Sequence, residues 1–128
     1  MTTWIFAVLG LFLLQTLLPS SLRYFGSENM LMNAVGPRDE PPPMPVSGAR
    51  AQRALNNMME AMPFFLTFAL LLLFQNKVTA LATTGAMVFF IARTIYVPAY
   101  ISGIPFIRST CWMGGWVGMG MMLSALFA

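Results

Sequence analysis

At 128 residues, 58% hydrophobic and only 9% charged, the chain falls well short of the ~25% charge of a soluble domain, so an integral membrane protein is implied. The net charge of +3 would hint at nucleic acid in a soluble protein, but the basic residues stand at the ends of apolar stretches, where topology accounts for them, and no nucleic-acid partner is expected. With no histidine and a single cysteine, Cys111, neither an intrachain disulfide nor a metal centre is expected.

The hydropathy pattern predicts an all-α membrane protein: a bundle of four transmembrane helices over about residues 2–24, 48–75, 78–100 and 107–127, forming one domain, 1–128, with a Pro-rich cytoplasmic loop over 25–47. The first span centres on IFAVLGLFLLQTLL and lacks the basic leader and A-x-A-like site of a cleavable signal. Gln15 is its one strongly polar residue, and a hydrogen bond to a neighbouring helix is expected for it. Pro19 falls near the end, and Arg23 and Tyr24 mark the membrane interface.

The longest connection contains GPRDEPPPMPVSG. Its clustered prolines exclude helix there and favour an extended, semi-rigid surface linker, with a lid over a membrane-surface site as the alternative. Ser47 offers an N-cap for the second span.

That span opens with RAQRALNNMMEAMP, in which Arg50, Arg53, Asn57 and Glu60 follow one another at spacings of three, four and three. On a helix these side chains share one stripe, and an ionisable group within a span marks a function by default. The third span ends in ARTIYVPAY, with Arg93, Tyr96 and Tyr100 on one face and Pro98 expected to kink the last turns. ISGIPF then reads as a tight loop before Arg108 and the fourth span. There Gly114 and Gly118 form a small-xxx-small pair, Cys111 is expected to be buried and inert, and the methionines suit adaptable packing.

Arg23, Arg38, Arg50, Arg53, Arg93 and Arg108 fall on one side of the membrane and Lys77 alone on the other. The positive-inside rule puts that crowded side in the cytoplasm and both termini outside. The second span's start, the third's end and the fourth's start therefore share one polar layer. Snorkelling anchors account for Arg23 and Arg108 but not for Glu60, which is deeper than an anchor needs to be. Pairing of Glu60 with Arg53 or Arg93 is one reading. A pocket for a small, multiply charged anion, held by bidentate arginines, is the sharper one.

The same residues resemble the MAPEG superfamily, the membrane-associated proteins of eicosanoid and glutathione metabolism. The second-helix signature of an arginine, an asparagine four on, a glutamate three further and a proline three beyond is matched by Arg53, Asn57, Glu60 and Pro63. The end of the third helix is matched by Arg93, Tyr96 and Tyr100, and FIRS, with Arg108 and Ser109, is similar to the fourth-helix start of the prostaglandin E synthase branch. Ala61 stands where the leukotriene synthase branch has a tyrosine, and the GPRDEPPP connection resembles a bacterial subgroup.

The resemblance implies a homotrimer in a bacterial inner membrane, with glutathione as co-substrate bound between protomers in the cytoplasmic half. It implies glutathione contacts from Arg53, Asn57, Glu60, Arg93, Tyr96, Tyr100 and Ser109, with Arg23 as a further arginine on the tripeptide. Arg108 would stabilise the thiolate and Tyr100 would donate to the sulfur, in a glutathione transferase or peroxidase acting on hydrophobic electrophiles or lipid hydroperoxides. Two rivals stand beside this: a small four-helix transporter using Glu60, and a non-catalytic accessory subunit of a larger membrane complex.

Overall fold

The computed structural model describes residues 1–128. Its helices are α1 (Thr2–Tyr24), α2 (Met30–Val35), α3 (Val46–Phe74), α4 (Ala80–Ser102) and α5 (Pro105–Phe127). All but α2 are long and apolar enough to cross a membrane. At 1.5 Å per residue the 23 residues of α1, α4 or α5 reach about 35 Å, enough for a ~30 Å hydrocarbon layer. The 29 residues of α3 reach about 44 Å, longer than a ~30 Å hydrocarbon layer requires.

Packing decides how the four spans meet. The most extensive pair is α4 with α5, while α1 lies on α3 and α3 touches both α4 and α5. Glycine makes the α4–α5 contact possible. A Cβ on Gly118 would stand 2.6 Å from the Gly85 carbonyl oxygen and 2.7 Å from the Phe89 amide nitrogen, so the two backbones touch. Gly114 meets Ala92 at an ordinary 3.4 Å, so the small-residue pair does face a neighbouring helix. Beside this seam, Phe65 and Phe89 stack at 4.5 Å in a core shared with Met58, Met119 and Met122. At the far end Lys77 donates from Nζ to the Leu126 carbonyl at 2.7 Å, satisfying one of the free carbonyls of α5.

The connections differ from the sequence-based expectation in four places. The stretch before Pro37 forms the short helix α2, entered through Asn29 in the left-handed region (φ 56°). The prolines that follow are helix-free, and Arg23 holds them by donating from Nε to the Pro42 carbonyl at 2.7 Å. Ser47 is not the N-cap of α3: that helix starts at Val46 behind an extended Pro45 and has no side-chain cap. Proline accounts for this, because its fixed φ and missing N–H suit a helix entry without a capping hydroxyl. Likewise α4 ends at Ser102, two residues later than expected, and α5 begins at Pro105, two residues earlier. Gln15 is buried at 3% exposure, yet its Oε1 finds no donor, so the expected interhelical bond to that oxygen does not form. Cys111 is half-buried.

Candidate functional site

The α4–α5 link is only Gly103 and Ile104. Gly103 takes φ +78°, a conformation that favours glycine, and a Cβ there would lie 2.7 Å from the flexible end of Arg50. Arg50 in turn donates from Nη1 to the Ile101 carbonyl at 3.1 Å. It therefore caps α4, where its charge also suits the helix dipole. From the sequence it was the first member of the stripe it forms with Arg53, Asn57 and Glu60, with no partner on α4 assigned.

This tight corner sets the end of α4 against the start of α5, with α3 alongside. The three helices border an open cavity of about 450 Å³ lined by Asn57, Tyr96, Tyr100, Arg108, Ser109, Trp112 and Met113, the four α5 residues being exposed. That volume is within the ~300–1,000 Å³ of small-molecule sites. Helical spacing explains the lining: Tyr96 and Tyr100 are four apart on α4, as are Arg108 and Trp112, and Ser109 and Met113, on α5. Trp112 and Met113 were not among the residues singled out from the sequence. Counting one turn onward from Arg108 and Ser109 would have found them.

Tyr100 is the centre of the cation arrangement. Its ring meets Tyr96 edge-on at 5.4 Å, with the Arg108 guanidinium 5.1 Å and the Arg53 guanidinium 5.9 Å from its centroid. Arg53 is exposed and approaches this ring without lining the cavity. Arg93 lies behind the wall at 1% exposure. Its guanidinium stands 5.3 Å from the Phe89 ring and 5.5 Å from Tyr96, and Nη1 donates to Asn57 Oδ1 at 2.6 Å.

Besides Arg53 and Arg93, two more of the expected residues lie off the cavity. Glu60 is exposed and opens onto a separate depression with Asn56 and Met59. Arg23 is engaged with Pro42 and stands 6.0 Å from the Tyr24 ring, at the start of the long connection. The cavity itself contains no carboxylate. Its polar groups are one guanidinium, one amide and three hydroxyls, beside an indole and a thioether. Such a set suits an anion carrying an apolar portion.

A family model described as the MAPEG family matches residues 1–128, the whole chain. Searches among curated proteins and among solved structures return no match. The four spans and the match along the full length agree: the chain belongs to the MAPEG family, membrane proteins of eicosanoid and glutathione metabolism.

Proposed function

We propose that the cavity binds glutathione as a co-substrate and holds its sulfur as the thiolate, for transfer to hydrophobic electrophiles or reduction of lipid hydroperoxides. The observation that carries this reading is the convergence of Arg108, Tyr100, Tyr96, Asn57 and Ser109 on one cavity that also presents Trp112 and Met113. A free thiol of pKa near 8.5 is only a few per cent thiolate at pH 7. Each unit of depression corresponds to about 1.4 kcal/mol, and a cation in a partly desolvated site supplies one or two such units.

In this scheme Arg108 stabilises the sulfur anion and the Tyr100 hydroxyl donates to it, the thiol proton passing to water. The thiolate then attacks an electrophilic carbon: a C–S bond forms while the bond to a leaving group breaks and the group departs as its anion or, with an activated alkene, while the C=C π pair shifts away and takes up a proton from water. With a hydroperoxide it attacks the distal oxygen: the O–O bond breaks, the alkoxide leaves and takes a proton from water to become the alcohol, and a second glutathione converts the sulfenic acid to disulfide and water. Arg53, Asn57, Tyr96 and Ser109 bind the remainder of the tripeptide. Glu60 and Arg23 contribute from outside this cavity, in a homotrimer that closes the open flank of each protomer with a neighbour. The six-to-one arginine bias supports a cytoplasmic site with both termini on the other side of the membrane.

Purified protein should bind glutathione, and ultraviolet difference absorbance should show a thiolate that Arg108→Ala abolishes. Lack of binding at millimolar glutathione would overturn the proposal. One observation favours a second reading: Glu60, a carboxylate within a span, faces its own open depression. If the chain is a transporter, substrate should drive proton movement in liposomes, and Glu60→Gln should stop it. Co-purification with a stoichiometric partner, without thiol chemistry, would instead indicate an accessory subunit.

A further inference from the structure

Arg93 is the largest fully buried side chain of the protein. Three of its features have no explanation in packing alone. Its Nη1 makes a short 2.6 Å bond to Asn57 Oδ1, while Nε and Nη2 are buried without partners. Gly115 of α5 lies directly against it, where a Cβ would come within 3.1 Å of Nε. A buried cation with two unsatisfied donors is unfavourable, and such groups in a native fold call for a reason.

The bond to Asn57 supplies one. A guanidinium only donates, so the atom of Asn57 that meets it must be the oxygen. Asn57 lines the cavity and Arg93 does not. With Oδ1 occupied behind the wall, Nδ2 is the end of the amide left for a ligand. We infer that Arg93 is a positioning residue, locking the Asn57 amide so that the cavity meets its ligand there with an N–H donor.

The consequence is selectivity. Arg108 also only donates, and the Tyr96, Tyr100 and Ser109 hydroxyls are free to donate, so no polar group on the wall is obliged to accept. The cavity therefore suits the acceptor-only parts of a ligand, carboxylate, peptide carbonyl or thiolate, and offers an ammonium only hydroxyl oxygens. Gly115 belongs to the same device, because its missing side chain gives the guanidinium room to reach α3.

This inference rests on the glutathione reading for its ligand but not for its geometry, and the two are tested separately. On the full chain in detergent, glutathione affinity is measured for wild type, Arg93→Met, Arg93→Lys, Gly115→Ala, Asn57→Ala and Asn57→Asp. Arg93→Met and Asn57→Ala should each weaken binding about tenfold, and the double variant no more than Asn57→Ala alone. Arg93→Lys, which keeps a donor for Oδ1, should recover most of the loss. Gly115→Ala should weaken binding in the wild-type background and have no effect beside Asn57→Ala. Asn57→Asp should lose at least as much as Asn57→Ala, because it presents an oxygen where the N–H stood. Additive effects of Arg93 and Asn57, or wild-type binding by Asn57→Asp, would overturn the inference.

Without any ligand, 15N-asparagine labelling reads the same bond. The Asn57 side-chain amide signals, assigned by their loss in Asn57→Ala, should move in Arg93→Met and return towards wild type in Arg93→Lys. Signals indifferent to Arg93 would overturn the inference by themselves. Signals that depend on Arg93 in a protein that fails to bind glutathione would support it and remove the glutathione reading alone.

Discussion

Asn57 and Glu60 are three residues apart on α3, yet they belong to different regions of the molecule. Asn57 faces α4 and α5, where Arg93 fixes it and a walled cavity opens. Glu60 faces outward into a depression with only Asn56 and Met59 for company. Three helical residues turn through about 300°, so the two side chains diverge by about 60°. On a bare helix that is still one stripe. In a bundle it is enough to put one residue inside the wall and the other outside. The difference shows that a polar stripe on a single helix is not yet a site, since the neighbours choose which part of it they enclose.

The strongest way to break this comparison is to remove the cavity's own cation. Arg108→Ala should lower the turnover of a hydrophobic electrophile with glutathione by about 10²–10³-fold, the loss found when one preorganised charge-stabilising group is deleted. A variant with wild-type turnover would leave the cavity flank no more important than the Glu60 flank. Next in size, Gly118→Val should destabilise the chain by about 1–3 kcal/mol. Its side chain would intrude on the Gly85 and Phe89 backbone, which should be visible as earlier thermal unfolding in detergent. An unchanged midpoint would mean that the α4–α5 seam does not hold the cavity together.

Smaller effects sharpen the contrast. Glu60→Gln should raise the KM for glutathione about fivefold with little change in kcat, the size of an exposed charge contact worth up to ~1 kcal/mol. More added salt should shrink that difference. A KM indifferent to Glu60 would confine the ligand to the cavity flank. Smallest of all, Arg50→Ala removes the bond to the Ile101 carbonyl and the charge at the end of α4. It should cost about 0.3–1 kcal/mol in unfolding measurements while leaving the thiolate signal of the Arg108 site intact.

Much of this architecture was legible in the residues. The four spans follow from long apolar runs, because hydrocarbon leaves the backbone few options other than helix. The gathering of Asn57, Tyr96, Tyr100, Arg108 and Ser109 at one end follows from counting spans, since short links force alternate directions. Other features were hidden for identifiable reasons. The helix α2 is six residues, too short for a periodic pattern to register. Ser47 looked like a cap because hydroxyls favour that position, but Pro45 ends the extended path before it. Trp112 and Met113 read as ordinary apolar residues of a span until the α5 face they occupy was found to border the cavity.

By itself the sequence determined the environment, the number of crossings, the end of the bundle at which the arginines gather and which residues share each helical stripe. These depend on hydropathy, charge placement and local spacing, which are properties of one segment at a time. Only the tertiary structure decided that Arg93 reaches Asn57, that Arg50 closes α4, and that Glu60 stands apart from the cavity. Those outcomes depend on the rotation of each helix about its axis against its neighbours. At the α4–α5 seam that rotation is tied to the close approach of Gly85 to Gly118, a contact between two segments that no single-helix pattern contains.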